Sequence, residues 1–471
     1  MATPNTHYGA ERIEEMLRTA KSIFFIGIGG INMSSLALLT HRRGWSVGGS
    51  DRTRSALTEK LADEGITLFY EHKSEHIDGY DAVVYTVAIS PENEEYLRAV
   101  ERGIPLISRA DYLGYLMMEY PRRIGVSGMH GKSSCTSMCA QVLLDAGSDP
   151  TVLSGAELRA MGGAYCLGRS ENFVFEACEY MDSFLDFNPN IAVILNIEMD
   201  HVDYFHSMEQ IHASFAAYAA KTGRDGFAVV NGDDAEVGAA LSDYEGTLVR
   251  FGLVDPTCDY LAKNLACERG RWSFDLVERG ESLCRINLGI VGRHQIYNAL
   301  ATTAVCRILG LTPEQISRGL AAFSGAKRRM ERKGSMQGAE VYDDYGHHPT
   351  EIKATLAGAV AIPERDGRLF CVYQPHTYSR TAALLDEFTT AFGDADRVLL
   401  VDIYAARETD TLGVSSALLA ERIGERASYA GSVENAAEML RSELREGDAV
   451  IVMGAGNIDR MFKVLEKDMK S

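Results

Sequence analysis

The sequence predicts an α/β protein of three domains, and three observations support this class. The chain has 471 residues, which is long for a single hydrophobic core. Short apolar runs alternate with polar helical stretches along its length, as in parallel sheets covered by helices. Glycine-rich turns follow the apolar runs that start at Ser22 and Arg122. We place the predicted domains at residues 1–120, 121–325 and 326–471.

Composition and charge narrow the functional classes. Hydrophobic residues make up 46% of the chain and charged residues 24%, which is typical of a folded soluble protein. The net charge of -19 argues against general binding to nucleic acid or anionic membranes, although a local basic pocket can still hold phosphates. We find neither a signal peptide nor an apolar run of about 18 residues. We therefore expect a cytoplasmic protein without nucleic-acid or membrane partners.

The nine cysteines are scattered and odd in number. Reduced, mostly buried thiols suit the cytoplasm, and the sequence has no C-x-x-C pair that would indicate a structural zinc site. Those in apolar segments include Cys135, Cys139, Cys306 and Cys371.

The first block begins with the apolar run Ser22–Ile26, the turn Gly27-Ile-Gly-Gly30 and a helical stretch that ends at Gly44. A second strand, Trp45–Asp51, completes a βαβ unit, so we predict a Rossmann-like domain whose Asp51 approaches a ribose. The fingerprint G-x-G-x-x-G is broken, because Asn32 replaces the third glycine. The turn binds a nucleotide or diphosphate, or else it is only a tight turn. The other predicted strands of this block are Ala82–Thr86 and Ile104–Ile107.

The second block carries a glycine-rich loop between a strand that starts at Arg122 and a helix over residues 132–146. Gly128 and Gly131 let backbone N–H groups converge on an anion, while Lys132 supplies charge and Ser133 a hydroxyl for a metal. The strict P-loop pattern fails by one place, since residue 126 is valine. We predict a P-loop-type mononucleotide-binding α/β domain that holds a nucleoside triphosphate; the alternative is a solvated turn with a surface lysine.

Two further strands of the second block, Asn172–Glu179 and Ile191–His201, have acidic ends. Because parallel sheets gather ligands at the carboxyl ends of their strands, we expect Glu176 and His201 to face the phosphate loop and bind Mg²⁺. The alternative is a helix cap formed by Asp200, His201 and Asp203. The remaining acidic residues are expected outside the metal's immediate contacts or on the surface: Glu179, Asp186 and Glu198.

The third block follows a basic, hinge-like stretch at Phe323–Arg329 and again reads as a Rossmann-like α/β domain. Two strand ends carry Asp343-Asp-Tyr-Gly-His-His-Pro349 and Gln374-Pro-His-Thr-Tyr-Ser-Arg380. With Arg328, Arg329 and Arg407 they suggest a cationic face that closes over phosphate, although paired histidines before proline also cap helices. The predicted strands are Gln337–Asp343, Leu369–Gln374, Arg397–Ile403 and Asp448–Met453.

Taken together, these segments resemble the Mur ligase family from about residue 20 to about residue 460, with the motifs in family order. The D-D-Y-G-H-H-P and Q-P-H-T-Y-S-R motifs favour the branch that attaches the first amino acid of the peptidoglycan precursor. The segments that carry the resemblance are Gly27–Gly30 with Gly49–Asp51, His130–Lys132, Asn196–His201, Gly292–His294 with Asn298, Asp343–Pro349, Gln374–Arg380 and Gly454–Gly456.

The resemblance implies an ATP-dependent, Mg²⁺-requiring amide ligase that joins L-alanine to the lactyl carboxylate of UDP-N-acetylmuramate through an acyl phosphate, as a monomer or homodimer. It implies that the catalytic residues are Lys132, His348 and Arg380. The implied metal ligands are Ser133, Glu176 and His201. The implied ATP-binding residues are Gly128, His130, Gly131, Lys132, Ser133, Ser134, His294 and Asn298. The implied UDP-sugar-binding residues are Gly29, Gly30, Ser34, Asp51, His72 and Arg109.

The chain departs from the family pattern at a few positions, and three alternative functions stay open. Met129 replaces a threonine of the loop, and Cys178 and Tyr180 alter an acidic motif. Lys221 is the nearby candidate for the carbamylated lysine that some relatives use. The alternatives are a family member that attaches a recycled murein tripeptide, an NAD-dependent oxidoreductase built on the Gly27 turn, and a non-catalytic nucleotide-binding regulator.

Overall fold

The computed structural model describes residues 3–362, 365–406, 408–409 and 412–470. Arg407, part of the predicted cationic face, lies outside the described residues. Within the described ranges, the chain forms three separate sheets of five, ten and seven strands, each covered by helices. The predicted three-domain α/β class is therefore confirmed. No helix of these ranges combines the length and the apolar character needed to cross a membrane.

The first sheet is parallel, with the strand order 3-2-1-4-5. Two of its strands, Ser22–Ile26 and Ala82–Tyr85, form where the sequence predicts them because they are apolar runs buried on both faces, whereas the short strand Thr67–Phe69 was not predicted. The elements of this region are α1 Ala10–Leu17, β1 Ser22–Ile26, α2 Ile31–Arg42, β2 Ser46–Ser50, α3 Ala56–Asp63, β3 Thr67–Phe69, β4 Ala82–Tyr85, α4 Glu94–Arg102, β5 Leu106–Ser108 and α5 Arg109–Leu116.

The central region begins with β6 Arg122–Ser127, α6 Lys132–Asp145, β7 Thr151–Leu158, β8 Gly163–Cys166, β9 Asn172–Glu176, β10 Ile191–Ile194 and α7 Met208–Ala220. It continues with β11 Phe227–Asn231, α8 Ala235–Ala240, β12 Thr247–Gly252, β13 Tyr260–Glu268, β14 Arg271–Glu278, β15 Glu281–Val291, α9 Gln295–Ile308 and α10 Pro313–Ala322. The sheet order is 15-14-13-12-11-10-6-9-7-8. Strand β6 lies between β10 and β9, so the ends of these three strands meet at one edge.

The third region comprises β16 Glu331–Met336, β17 Ala339–Asp344, α11 Pro349–Ala359, β18 Leu369–Tyr373, α12 Tyr378–Ala383, α13 Leu385–Ala391, β19 Arg397–Val401, α14 Ser416–Ile423, β20 Ala427–Gly431, α15 Val433–Glu443, β21 Ala449–Met453, α16 Arg460–Val464 and β22 Met469–Lys470. The sheet order is 20-19-18-21-17-16-22. The predicted strand start at Gln337 is wrong, because Gln337 and Gly338 have positive φ and form the turn between β16 and β17.

Among the residues that the structure describes, the first and central domains share an apolar core, whereas the central and third domains do not. One apolar cluster runs without interruption from the first sheet to the central one, and it includes Phe25, Tyr112, Phe175 and Phe215. The two apolar clusters of the third region contain only residues from 330 onward. Its contacts with the central region include charged pairs such as Arg380 with Asp200. A polar interface of this kind allows one domain to move against another.

Candidate active site

The phosphate loop lies between β6 and α6, and its glycines are required by geometry. Gly128 and Gly131 have φ of 131° and 85°, values that favour glycine. A Cβ at Gly131 would also lie 2.8 Å from Asn298 Oδ1. The first turn of α6, which includes Lys132, Ser133 and Ser134, directs its N–H groups toward the loop, as anion-binding helix ends do.

Lys132 is held over this loop by its own backbone and by a buried carboxylate. Its Nζ donates to Gly128 O at 2.6 Å and lies 2.9 Å from Glu179 Oε2. Burial opposes the charged form, but the Glu179 carboxylate outweighs it and raises the pKa of Lys132. Glu179 is only 1% exposed and contacts the predicted metal ligand His201 at 3.1 Å, so of its two expected places the surface is wrong, and a place outside the metal's immediate contacts stays a prediction.

The three predicted metal ligands, Ser133, Glu176 and His201, take part in two separate side-chain contacts. Ser133 Oγ donates to Glu176 Oε2 at 3.1 Å, and His201 Nε2 lies 3.1 Å from Glu179 Oε1. All four side chains line one cavity of about 830 Å³. A hydroxyl, carboxylates and an imidazole facing one space fit a divalent ion that also contacts phosphate. The helix-cap alternative is wrong, because Ser207 caps the following helix α7.

Arg380 reaches the same cavity from the third domain. Its Nε donates to Asp200 Oδ1 at 2.9 Å, and the two side chains are 8% and 5% exposed. Burial disfavours the Asp200 carboxylate, but the Arg380 guanidinium overcomes this and lowers its pKa. Thr377 fixes the start of α12, since its Oγ1 accepts the Arg380 N–H at 3.4 Å. The closed arrangement of the central and third domains therefore contains a buried ion pair.

Arg328 and Arg329, in the hinge-like stretch, contact different domains. Arg329 Nη2 lies 3.5 Å from Ser133 Oγ, whereas Arg328 Nε lies 3.3 Å from Asp343 Oδ1. Both arginines line the 830 Å³ cavity. They form the described part of the predicted cationic face.

Two histidines of the third domain line this cavity, His347 and His376. Burial lowers the pKa of His347 to about 3, and burial with Arg380 lowers the pKa of His376 to about 4. Each is therefore neutral at physiological pH, and each is a weaker base than a free imidazole. His348, the predicted catalytic histidine, does not line the cavity; it caps α11 and lies behind it, 3.7 Å from Glu198. The structure therefore does not bring this predicted proton acceptor into the cavity wall.

The remaining ATP-binding residues surround the loop. The backbone N–H of His130 donates a hydrogen bond to Asn196 Oδ1 at 2.8 Å. The side-chain amide of Asn298 donates one to Gln295 Oε1 at 2.9 Å. A second cavity of about 710 Å³ lies beside Gln295 and the hinge. Gln295 lines this cavity, whereas the neighbouring His294 is half-buried, and the loss of solvent around its ring lowers the pKa of His294 to about 4.

In the first domain, the predicted sugar-nucleotide residues occupy the carboxyl end of the sheet. Asp51 Oδ2 accepts the Gly29 N–H at 3.0 Å, and Gly30 precedes α2. His72 Nδ1 lies 2.8 Å from Glu95 Oε2, a carboxylate that the sequence analysis did not identify. Ser34 is fully buried and its hydroxyl donates to Ile31 O, so its side chain faces its own helix and not the glycine turn.

Arg109, the last of these predicted residues, begins α5 at the junction of the first and central domains. Burial lowers the pKa of Arg109, and the acidic groups that act on it are Cys178 and Asp186.

Three sequence models of one family match successive parts of the chain. The Mur ligase family catalytic domain matches residues 22–121, the Mur ligase middle domain residues 126–306, and the Mur ligase glutamate ligase domain residues 328–456. The chain belongs to the Mur ligase family.

Several Mur ligases are similar to this chain over nearly its whole length. The UDP-N-acetylmuramate–L-alanine ligase of Caldanaerobacter subterraneus is 44% identical over 459 residues, which cover 96% of this chain and 99% of that protein. The enzyme of the same name from Acetivibrio thermocellus is 42% identical over 455 residues, or 95% of this chain and 96% of that protein.

Solved Mur ligase structures share the fold. The UDP-N-acetylmuramate–alanine ligase of Thermotoga maritima matches with a TM-score of 0.79 and 25% identity over 95% of this chain and 98% of that one. A murein peptide ligase from Psychrobacter arcticus matches with a TM-score of 0.72 and 22% identity over 96% and 100% of the two chains, which shows the fold alone.

Two departures from the Mur ligase pattern lie in the cavity wall. Met129 and Cys178 both line the 830 Å³ cavity, and burial raises the pKa of the Cys178 thiol to about 11, so it is neutral. Tyr180 packs its ring 4.8 Å from His201 and donates its hydroxyl to Asp203 Oδ2 at 2.7 Å. These residues leave the lysine, hydroxyl and carboxylate groups of the site in place.

Proposed function

We propose that this chain joins L-alanine to the lactyl carboxylate of UDP-N-acetylmuramate, with cleavage of ATP to ADP and phosphate. The observation that carries the proposal is the single cavity in which Lys132, Ser133 and Glu176 meet Arg380 of the third domain. A phosphate loop, donors for a divalent ion and a second cation together suit transfer of a phosphoryl group to a bound carboxylate. The substrate names come from the relatives that are 42–44% identical to this chain.

Each domain has one part in this proposal. Residues 1–120 bind the uridine diphosphate through the glycine turn at Gly29 and Gly30, with Asp51 and His72 beside it. Residues 121–325 bind ATP, with its phosphates on the loop at Lys132. Its adenine lies in the 710 Å³ cavity beside the hinge. Residues 326–471 close over the amino-acid side and bring Arg380 to the reacting groups.

The chemistry requires an activated carboxylate, because a free carboxylate does not react with an amine in water. The lactyl carboxylate attacks the γ-phosphorus of ATP to give an acyl phosphate and ADP. The amine of L-alanine then attacks the acyl carbon and phosphate leaves. Both steps move anionic oxygens, so Lys132 and Arg380 act by position and charge. The ammonium group of L-alanine loses a proton before this attack, and an imidazole with a pKa near the working pH is the side chain suited to accept it.

Mg²⁺ would be held by Ser133, Glu176 and His201, and when bound it neutralises charge on the β- and γ-phosphates. Closure of the third domain over the bound substrates would keep water from the acyl phosphate. This closure rests on the Arg380–Asp200 pair.

A product assay tests the function directly. Inorganic phosphate should appear rapidly only when ATP, Mg²⁺, UDP-N-acetylmuramate and L-alanine are all present, and mass spectrometry should find the alanyl product. The murein tripeptide offered in place of L-alanine should give no product. Preference for the tripeptide would assign the chain to the recycling branch. Steady phosphate release without the sugar nucleotide would identify a plain nucleotidase. The family assignment leaves the oxidoreductase alternative without support.

Replacing Glu176 and His201 together with glutamine should raise the Mg²⁺ concentration for half-maximal activity by about tenfold or more, because two donors to the ion are lost. Activity titrated against Mg²⁺ at saturating substrates measures this. Asp203→Asn is the matched control, since Asp203 lines the same cavity but donates nothing to the proposed ion. An unchanged requirement in the double variant would reject the metal assignment.

A further inference from the structure

A cluster of two imidazoles and a carboxylate lies behind the catalytic cavity, where the central and third domains meet. His130 comes from the phosphate loop, Glu198 from the segment after β10, and His348 from the start of α11. One donor atom from each lies within 4.8 Å of the other two. The two imidazole rings are 4.7 Å apart, and His130 Nε2 and His348 Nδ1 both approach Glu198 Oε1, the latter at 3.7 Å.

One ring nitrogen of the cluster, Nε2 of His348, is buried and finds no hydrogen-bond partner among the described residues. Both ring nitrogens of His130, in contrast, face carboxylates, Nε2 that of Glu198 and Nδ1 that of Glu351. His348 is 4% exposed, so water is largely excluded from it. Buried polar groups normally have partners, and groups that lack them need an explanation. None of the roles given to Lys132, Glu176, His201 or Arg380 accounts for this cluster.

The surroundings of the cluster match those of bound metal ions. His130 Nδ1 faces Glu351 Oε1 at 3.2 Å, while its Nε2 faces Glu198. Glu198 Oε2 in turn accepts a hydrogen bond from Thr350 Oγ1 at 2.8 Å. Histidines that bind metals commonly donate their second N–H to a carboxylate, and carboxylate ligands are themselves hydrogen-bonded. Both outer contacts are therefore present.

We propose that His130, Glu198 and His348 form a binding site for a divalent transition-metal ion, with Zn²⁺ as the best match. Two imidazoles and one carboxylate suit Zn²⁺, which takes tetrahedral nitrogen and oxygen ligands at about 2.0–2.2 Å, and they do not suit Mg²⁺. Two donor atoms bound to one tetrahedral ion at these lengths lie about 3.4 Å from each other, so the 3.7 Å between His348 and Glu198 already suits the ion, and it is the closer His130 ring that moves away from Glu198 when the ion binds. The site is separate from the one proposed for Mg²⁺ at Glu176.

The ligands come from two domains, and this gives the ion a mechanical consequence. His130 and Glu198 belong to the central domain, whereas His348 belongs to the third. A bound ion ties the third domain to the phosphate loop in the closed arrangement. Opening of the domains then requires loss of a metal–ligand bond.

Zinc binding to the full chain tests the proposal, with Zn²⁺ as the probe and excess Mg²⁺ present to occupy the other site. We expect one Zn²⁺ whose Kd rises by about tenfold or more in Glu198→Gln and in His348→Asn. His212→Asn is the matched control, because His212 also faces a carboxylate, Glu236 at 2.7 Å, and belongs to no such group of three. Equal affinity in the wild type and both cluster variants would overturn the site, as would an equal loss in the control.

X-ray absorption of the zinc-loaded wild type gives a result that does not depend on folded variants. The expected shell contains two imidazole nitrogens and carboxylate or water oxygens, with no sulfur. A sulfur ligand would place the ion on a cysteine and reject the proposal. The melting temperature of the wild type should also rise with Zn²⁺, and a rise of the same size in Glu198→Gln would contradict the proposed ligand set.

Discussion

Replacing Lys132 with alanine is expected to lower kcat/KM for ATP-dependent phosphate release by about 10³-fold. Lys132 is the cation directly above the loop, and its Nζ contacts the loop carbonyl of Gly128 at 2.6 Å. A γ-phosphate bound there gains negative charge on its bridging oxygens as it transfers, and a fixed ammonium stabilises that charge. Release of inorganic phosphate with all substrates present measures the effect.

The same substitution also disturbs the fold locally, and its control must separate the two effects. Without Lys132, the buried carboxylate of Glu179 loses its ammonium partner and keeps the His201 ring at 3.1 Å. Breaking a buried ion pair in this way costs about 3–5 kcal/mol. A double variant, Lys132→Met with Glu179→Gln, removes both charges and should recover the urea midpoint of the wild type without recovering activity. Recovered activity would show that Lys132 acts only through stability.

The domain architecture could be predicted because its strands are continuous apolar runs. Ser22–Ile26 and Leu369–Tyr373 are buried on both faces. Parallel strands of this kind can be recognised in the sequence as unbroken apolar runs, with no alternation of polar and apolar residues. The antiparallel strands β13 to β15 were not predicted, because they are not continuous apolar runs. Most of Glu281–Val291 is only partly buried or exposed, so the strand shows no clear period. Its position is set by pairing with β14.

The predicted site was most reliable where residues follow a strand directly. Glu176 ends β9, which pairs with the loop strand β6, so parallel pairing alone brings Glu176 to the loop. Ser34 could not be placed in the same way, because the facing of a side chain within α2 depends on packing. Its hydroxyl turned out to be buried.

The residues that were missed depend on contacts between domains. Glu351 lies against His130 only because the third domain packs on the central one. Its place three residues after His348 is a capping-box signal, which indicates the start of a helix but not a partner in another domain. The contacts of Glu179 were missed for a similar reason, because its partners Lys132 and His201 lie in different segments of the chain. The spacing of residues along the sequence does not predict which side chains of different segments or domains come into contact.

Replacing Arg380 with methionine is expected to lower kcat by about 10²- to 10³-fold, because the guanidinium is the charge that the third domain brings to the cavity. Arg380→Lys should recover only part of this, since an ammonium cannot reproduce the planar contacts of a guanidinium. Steady-state kinetics with ATP, UDP-N-acetylmuramate and L-alanine measure both variants.

Asp200→Asn separates closure from charge, because it keeps Arg380 but removes the carboxylate that holds it at 2.9 Å. A buried guanidinium without its partner disfavours the closed arrangement by about 3–5 kcal/mol, so small-angle scattering should show a larger radius of gyration together with a fall in kcat. The exposed pair Arg224–Glu245, at 3.1 Å and away from both cavities, is the control: Arg224→Ala should change neither quantity, since such pairs contribute at most about 1 kcal/mol. A fall in kcat with an unchanged radius would mean that Asp200 orients Arg380 within an already closed site. An unchanged kcat would reject closure through this pair.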